Sequence, residues 1–226
     1  MPNFSGVQAQ HPAGPGPDEG VRDRRRRETY ARIRATALSL VRQHGLDRVT
    51  VDMISARAGV SVRTFFNYFP SKVAALVDGP PPPPDDAVLA FRAARGSGRL
   101  LADVEDLLVA QLEAVEIDRE QLHTRIEIIN ATPALLGPQL AVFDEYERQL
   151  AGLIAERLAV DAGALDGVDT DPPADPDGLA SLVAAAAIAT VRASLYRWSR
   201  DGQDSTPQSA VRRSVATLRR LMAEPG

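Results

Sequence analysis

An all-α fold is what this sequence of 226 residues predicts, and three observations favour it. Alanine, leucine and arginine, which are good helix formers, are abundant. Apolar residues recur at spacings of three and four, the period of a helix face, and the alternation typical of a half-buried strand is scarce. Hydrophobic residues make up 44% of the chain, which allows a sizeable core. We therefore expect helices throughout, in an N-terminal and a C-terminal domain.

The first helix is predicted over residues 22–43. Residues 1–21 precede it, and their Pro and Gly content without apolar periodicity predicts a disordered tail. Gly45 follows the helix as a C-terminal breaker. The apolar stripe that predicts the helix consists of Tyr30, Ile33, Ala37, Leu40 and Val41.

Two short helices follow and form a recognisable pair. Thr50 stands where an N-cap belongs before Val51–Ala58, and Ser61 does so before Val62–Tyr68. Gly59 lies in the turn between them. Two short helices joined by such a turn predict a helix-turn-helix.

A fourth short helix is predicted after Pro70, with Ser71 as its cap and Lys72 in its first turn. The run Pro80–Pro84 cannot be helical and predicts an extended linker. The predicted organisation is a tail (1–21), a helix-turn-helix domain (22–78), a Pro-rich linker (79–86) and a helical domain (87–226).

The larger domain is predicted to be helical to its end. A stripe in its second helix predicts residues that are mostly core, with the wall of a cavity as the alternative for some, namely Leu101, Val104, Leu108, Leu112 and Val115. The predicted helices cover 85–95, 99–117, 118–131, a long segment from a break near Pro133 to about Val160, 177–201 and 207–223, with an acidic Pro-rich loop at 166–178.

Charge is distributed unevenly along the chain, although the net charge is only −4. Residues 21–78 carry twelve Arg and Lys against five Asp and Glu, whereas residues 79–226 carry fourteen against twenty-three. A basic module joined to an acidic one suggests that the first meets a polyanion. Arginine-rich helices that are merely solvated remain the alternative on charge alone.

The outward face of the second helix of the pair carries Arg63, Thr64 and Asn67. Arginine can bond guanine O6 and N7 together, and asparagine can bond adenine N6 and N7. Val62 is placed to touch a thymine methyl. In a helix-turn-helix this helix enters the major groove with its N-terminal residues first. The pattern therefore predicts DNA binding, with a solvated helix face as the alternative for each residue.

Contacts to the DNA backbone are expected from Thr50, Ser61, Tyr68 and Lys72, which fix register without reading sequence. Phe65 and Phe69 are expected in the core instead, where they hold the short helix to its neighbours. The basic run Arg24, Arg25, Arg26 and Arg27 opposes the dipole of a helix start, so we predict a flexible arm on the DNA backbone or in the minor groove.

The segment VTVDMISARAGVSVRTFFNYFPSKVAAL resembles the DNA-binding signature of the TetR/AcrR family of transcriptional repressors over residues 24–78. The resemblance implies an all-helical homodimer with a C-terminal ligand-binding and dimerisation domain. Phe66 departs from the pattern, because many members carry Tyr there. Pro80–Pro84 also departs from the pattern, because it cuts short the helix that usually links the ligand-binding domain to the DNA-binding domain, here called the reader.

The C-terminal segments LHTRIEIINATPALLGPQLAVFDEYERQLAGLIAERL and LVAAAAIATVRASLYRWSRD are similar to mycofactocin-type TetR regulators. That resemblance implies an amphipathic effector, with a fatty acyl-CoA thioester as the candidate. Candidate effector contacts are His123, Arg125, Asn130 and Trp198, each with a structural role as the alternative. The last two helices, with small Ala184–Ala187 and the stripe Val211, Val215, Leu218 and Met222, are the expected homodimer surface, with packing inside the chain as the alternative.

Other classes of function find little support. The chain has no cysteine, its histidines are isolated, and it lacks a Walker loop, a G-x-S-x-G elbow and a metal-binding pair, so no enzyme activity, cofactor or metal is expected. The apolar runs are shorter than a membrane span, and a cytoplasmic protein is expected. The leading prediction is a ligand-responsive repressor on a palindromic operator. A transcriptional activator, or a small-molecule binding protein or enzyme with a vestigial reader, remains open.

Overall fold

The computed structural model describes residues 21–77, 79–94, 99–164, 175–201 and 205–223. Within these ranges the chain is helical and contains no strand, which confirms the predicted all-α class. The predicted tail up to residue 20, and most of the acidic loop, lie outside the described residues. The helices are α1 (Val21–His44), α2 (Val51–Ala58), α3 (Val62–Tyr68), α4 (Lys72–Leu76), α5 (Asp85–Ala93), α6 (Leu100–Glu113), α7 (Arg119–Ala131), α8 (Pro133–Ala164), α9 (Pro176–Asp201) and α10 (Pro207–Ala223).

The three N-caps predicted around the helix-turn-helix are confirmed. The hydroxyl of Thr50 accepts from the backbone N–H of Met53 at 3.2 Å, and that of Ser61 accepts from Thr64 at 3.0 Å. Ser71 caps α4 in the same way. Because each cap satisfies an otherwise orphaned donor, α2 and α3 begin at the residues that the sequence indicates.

The prediction that the basic run forms a flexible arm is wrong, because residues 22–27 belong to α1. The guanidinium of Arg24 lies 3.9 Å from the carboxylate of Glu28, one turn further on. The hydroxyl of Thr29 donates to the carbonyl of Arg25 at 2.8 Å. Arginine is a good helix former, so its propensity and these i,i+4 contacts outweigh the unfavourable dipole at the start of α1.

The stripe predicted in α6 is mostly buried, with one exposed member. Leu101 is 45% exposed, whereas Val104, Leu108 and Leu112 are buried as predicted. Leu107 takes the place of Leu101 in the buried stripe. The stripe therefore begins one turn later than the apolar pattern indicates.

The chain forms two compact units. The first unit contains α1 to α4 together with α7 and the start of α8, up to residue 144. The second contains α5, α6, the remainder of α8, α9 and α10. The predicted domain organisation, which places all residues after the linker in one domain, stays a prediction.

The core of the first unit joins distant parts of the sequence. The stripe of α1 is buried as predicted, with Ile33 and Ala37 fully inaccessible. Ile54 of α2 packs into the same cluster, and so do Ile128 of α7 and Leu135 of α8. The guanidinium of Arg42 in α1 also donates to the hydroxyl of Thr124 in α7 at 3.3 Å. The helix-turn-helix therefore rests on α7 as well as on its own helices.

The second unit is held by two buried polar contacts. Arg157 of α8 is almost inaccessible; its guanidinium pairs with Asp103 at 2.8 Å and donates to the carbonyl of Phe91 at 2.9 Å. The phenol of Tyr146 donates to the side-chain oxygen of Gln111 at 2.6 Å, and burial raises the pKa of that phenol well above its ordinary value. These contacts tie α8 to α5 and α6.

Within the described residues, α9 is long and apolar enough to cross a membrane by length and composition alone. The same test is passed by core helices of soluble proteins, so the signal is weak. In this fold α9 packs against α6 and α10. Its buried residues include Ala184 and Ile188.

Candidate nucleic-acid interface

The seven-residue helix α3 is anchored by two aromatic side chains. Phe65 and Phe69 are fully buried, as predicted. The ring of Phe69 stacks on that of Tyr30 in α1 with centroids 4.7 Å apart, and the Phe65 ring lies 5.8 Å from that of Phe69. An isolated helix of this length is unstable in water, so these contacts are what hold α3 in place.

The opposite face of α3 is open to solvent. Val62, Arg63 and Asn67 are exposed, as base-reading side chains must be, and Thr64 is partly exposed. Phe66 also lies on this face and is 52% exposed, with its ring edge-on to that of Phe65. We call Val62, Arg63, Phe66 and Asn67 the reading face.

Phe66 is the functional candidate that the sequence analysis undervalued, since it was noted only for its missing hydroxyl. Phe66 and Val62 together expose apolar surface beside Arg63 and Asn67, and neighbouring apolar side chains on a surface are typical of a contact site. The signal was available, because Phe66 follows Val62 by four residues and so shares its helix face.

The turn between α2 and α3 depends on Gly59. This residue has φ +67°, a left-handed conformation that a side chain disfavours. The backbone N–H of Val60 then donates to the carbonyl of Ser55 at 3.0 Å. The turn closes α2 and sets the angle at which α3 leaves it.

The hydroxyl groups at the two helix starts are placed differently. Thr50 is exposed and uses its oxygen as an acceptor for the cap, which leaves its O–H to donate outward. Ser61 is exposed too, but its oxygen lies 2.8 Å from that of Thr64, and the two hydroxyls share a hydrogen bond. A donor at a helix start is what binding a phosphate oxygen requires.

Tyr68 and Lys72, the other predicted phosphate contacts, are both partly buried. Tyr68 packs against the core of the first unit. The ammonium of Lys72 donates to the carbonyls of Leu46 and Val49 at 2.9 Å and 3.0 Å. These internal bonds join residues more than twenty positions apart, so no local pattern in the sequence indicates them.

The predicted basic side chains of α1 lie along its first two turns. Arg24, Arg25 and Arg26 are exposed, and Arg27 is partly exposed. A helix can carry these charges toward a polyanion as a flexible arm can. Their contact with DNA stays a prediction.

The predicted effector contacts are divided between the units. His123, Arg125 and Asn130 all lie on α7 in the first unit, where the His123 imidazole is 3.2 Å from the carboxylate of Glu127. Trp198 lies on α9 in the second unit. It is buried, and its indole N–H donates to the carbonyl of Ser205 at 2.6 Å. Their role in effector binding stays a prediction.

The side chains on this surface of the first unit are suited to binding another molecule. It presents guanidinium, amide, hydroxyl and apolar groups, which can bond base edges and phosphates. The described residues contain no group of three or more His, Cys, Asp or Glu that could hold a metal ion.

Comparison with known proteins agrees with this geometry. Residues 33–77 match the family described as bacterial regulatory proteins, tetR family. The chain is 32% identical over 163 residues to the HTH-type transcriptional regulator TcmR of Streptomyces glaucescens, a match that covers 66% of this chain and 67% of that protein.

Solved structures show the same fold. Native NalD of Pseudomonas aeruginosa, the secondary repressor of the MexAB-OprM multidrug efflux pump, is similar with a TM-score of 0.51 and 17% identity, over 85% of this chain and 96% of that one. A second NalD structure has a TM-score of 0.50 and 16% identity, over 85% and 95% of the two chains.

The proteins matched are transcriptional regulators and not enzymes. Proteins of this family bind DNA and form dimers. The anchored α3, its reading face and the identity with TcmR lead to one conclusion. This chain belongs to the TetR family of helix-turn-helix transcriptional regulators.

Proposed function

We propose that this protein is a repressor that binds a palindromic operator as a homodimer and is released by a small-molecule effector. The observation that carries the proposal is the reading face of α3, which is exposed while Phe65 and Phe69 behind it are fully buried. Each chain places one α3 in a major groove. The two half-sites lie about one helical turn of DNA apart, roughly 34–36 Å or a little more.

Recognition combines two kinds of contact. Arg63 and Asn67 bond base edges, and Val62 touches a thymine methyl. The DNA backbone is bonded by Thr50, Ser61, Thr64, Tyr68 and Lys72, and the arginines at the start of α1 add salt-dependent attraction.

The homodimer forms through α9 and α10. Support comes from a stripe on α9 that is exposed in the single chain and consists of Leu182, Ala186, Ala189 and Ala193. Leu182 is 67% exposed, which is unusual for a leucine in a long helix. Small residues beside it allow two helices to approach closely, and pairing with a second copy would bury the stripe.

An amphipathic effector, with a fatty acyl-CoA thioester as the first compound to test, binds the C-terminal part of the chain. His123, Arg125, Asn130 and Trp198 are each proposed singly as an anchor for the effector, and each is tested by itself. The effector releases DNA only as far as it binds the released form more tightly than the DNA-bound form. The protein acts in the cytoplasm, where operator and effector meet.

The first experiment defines the operator by selecting duplexes from a random library with the purified protein. Binding of the selected duplex and of a scrambled duplex is then compared by gel shift. We expect Arg63→Ala to cost about 1–3 kcal/mol and to relax preference at one base pair, since a bidentate contact to guanine is lost. Arg148→Ala removes an exposed arginine from α8, outside the reading face and the proposed dimer helices, as the matched control.

Equal binding to selected and scrambled duplexes by the unaltered protein would refute the proposal. Adding palmitoyl-CoA to the complex tests release. Comparing transcript levels of the neighbouring genes with and without the protein separates repression from activation.

A further inference from the structure

The reading face of α3 consists of two rows of side chains. Val62 and Phe66 are four residues apart and form an apolar row, and Arg63 and Asn67, also four residues apart, form a polar row. Because a helix turns by about 100° per residue, the two rows lie side by side along α3. The polar row is suited to the hydrogen-bonding edges of bases, whereas the apolar row can bond none of those groups.

Both members of the apolar row are exposed although they are hydrophobic. Phe66 is 52% exposed and Val62 is 37% exposed. The ring of Phe66 lies edge-on to that of the fully buried Phe65, with centroids 5.5 Å apart and ring planes at 89°. A ring supported in this way has few alternative rotamers, so covering it with a bound molecule costs little side-chain entropy.

The apolar row has a natural counterpart in DNA. Phe66 carries no hydroxyl, so its side chain cannot hydrogen-bond a phosphate. The major groove presents an apolar group at one place, the C5-methyl group of thymine, and aromatic and aliphatic side chains pack against it. A 5-methylcytosine carries the same methyl group at the same carbon. The cation and the amide of the polar row beside it favour a nucleic acid as the molecule that covers these side chains.

The spacing of the row limits which pyrimidines it can reach. Four residues of a helix rise by about 6 Å. Successive base pairs are about 3.4 Å apart along the duplex. Val62 and Phe66 therefore reach methyl groups that are no more than about two base-pair steps apart, close to the bases that the polar row bonds.

We propose that Val62 and Phe66 read two pyrimidine C5-methyl groups in each operator half-site, and that Phe66 is a specificity-determining residue of the reader. This inference rests on the proposed DNA-binding function and deepens it. The operator then carries thymine at two nearby positions of each half-site. Where one of these positions holds cytosine, methylation at C5 strengthens binding.

The first test removes single methyl groups from the operator selected with the unaltered protein. Each thymine is replaced in turn, in both half-sites together, by deoxyuridine, which keeps the hydrogen-bonding groups of thymine and lacks only the methyl. We expect two positions per half-site at which Kd rises about 15-fold, because each buried methyl contributes about fourfold. Half-sites without thymine, or thymines that all tolerate deoxyuridine, would overturn the inference.

Protein variants then assign each methyl group to its side chain. Phe66→Ala should abolish the deoxyuridine effect at one of the two positions and keep it at the other, and Val62→Ala should do the reverse, because a contact already lost cannot be lost again. Circular dichroism checks that each variant is folded under the conditions of the binding assay. Full deoxyuridine effects in both variants would contradict the proposal.

The matched control is Leu140→Ala. Leu140 is 54% exposed, much as Phe66 is, and it lies on α8, outside the helix-turn-helix. Its truncation should leave the deoxyuridine effects at both positions as large as in the unaltered protein. Loss of these effects in the control as well would show that they do not report contact with the apolar row, and it would overturn the assignment.

A second pair of duplexes separates the methyl group from the base-pairing pattern. The thymine assigned to Phe66 is replaced by cytosine or by 5-methylcytosine, each paired with guanine. Both duplexes present the same donors and acceptors, so the ratio of their Kd values reports the methyl group alone. We expect the unaltered protein to bind the methylated duplex more tightly, by up to about 15-fold, and Phe66→Ala to bind the two equally. Equal binding by the unaltered protein would refute methyl reading.

Failure of this inference and failure of the proposed function give different results. Equal binding of selected and scrambled duplexes by the unaltered protein refutes the proposed function. A selected duplex that is bound specifically, and whose thymines all tolerate deoxyuridine, leaves the repressor proposal standing and overturns only the reading of methyl groups.

Discussion

Two adjacent phenylalanines offer a sharp test of how α3 works. Phe65→Ala and Phe66→Ala make the same chemical change at neighbouring positions of one helix. Phe65 is fully buried and Phe66 is 52% exposed. We expect the first change to destabilise the fold and the second to weaken DNA binding.

The cost of Phe65→Ala follows from its burial. The ring packs against Phe69 and Phe66, at centroid distances of 5.8 Å and 5.5 Å, so truncation leaves a cavity and removes two aromatic contacts. Truncations of this kind cost about 3–5 kcal/mol. That is a large part of the stability of an ordinary domain, so α3 should lose its anchorage.

The effect of Phe66→Ala on operator affinity follows from the exposed half of the ring, which bound DNA would cover. Full burial of a phenylalanine contributes about 1.5–3 kcal/mol, so covering the exposed half with DNA contributes about 1 kcal/mol per chain. A dimer covers two such rings, which corresponds to about 2 kcal/mol, or roughly 30-fold in Kd. The loss of stability should be near 1 kcal/mol, because only half of the ring contacts protein.

Stability is measured by denaturant unfolding followed by circular dichroism at one fixed chain concentration, since a dimer's stability depends on concentration. Operator affinity is measured by fluorescence anisotropy at fixed salt. The reasoning is refuted if Phe66→Ala destabilises as much as Phe65→Ala, or if Phe66→Ala leaves operator affinity unchanged.

Three further predictions concern the second unit. Ala186→Arg on the exposed stripe of α9 should yield monomers in analytical ultracentrifugation, whereas Ser181→Arg, one turn earlier on a different face, should not; dimers in both would exclude α9 from the interface. Arg157→Ala should lower the free energy of unfolding by about 3–5 kcal/mol because the mostly buried carboxylate of Asp103 and the carbonyl of Phe91 lose this guanidinium, and a loss below about 1 kcal/mol would contradict this. The raised pKa of Tyr146 means that its contribution to stability is full below about pH 10, the ordinary value, and is lost as pH rises further; ultraviolet titration should show one of the four tyrosines ionising last, and Tyr146→Phe should remove that step.

The local structure of the reader could be predicted from the sequence because its signals are local. Thr50 and Ser61 mark the starts of α2 and α3 by hydrogen bonds that span three residues. Gly59 marks the turn by a backbone conformation that favours glycine. Such features act within a few residues, so a pattern in the sequence suffices to find them.

Contacts between distant segments had no comparable signal. The bond from Lys72 to Leu46 joins residues 26 positions apart, and the bond from Arg42 to Thr124 joins residues 82 positions apart. The cap at Ser71 placed Lys72 correctly at the start of α4, but only the fold shows which groups its side chain contacts. Phe66 is a different case, because its position four residues after Val62 already indicates that both side chains share one face of α3.

The packing of α7 bears on how an effector could control the reader when α4 is only five residues long. The described residues 79–84 between α4 and α5 are not helical. The α7 residue Ile128, in contrast, lies in the core that supports α1, and so does Leu135 at the start of α8. A packed core has few alternative arrangements, so a change in the packing of these two residues must repack the surface on which α1 rests. We therefore expect the effector's influence to reach α3 through α7 and the start of α8.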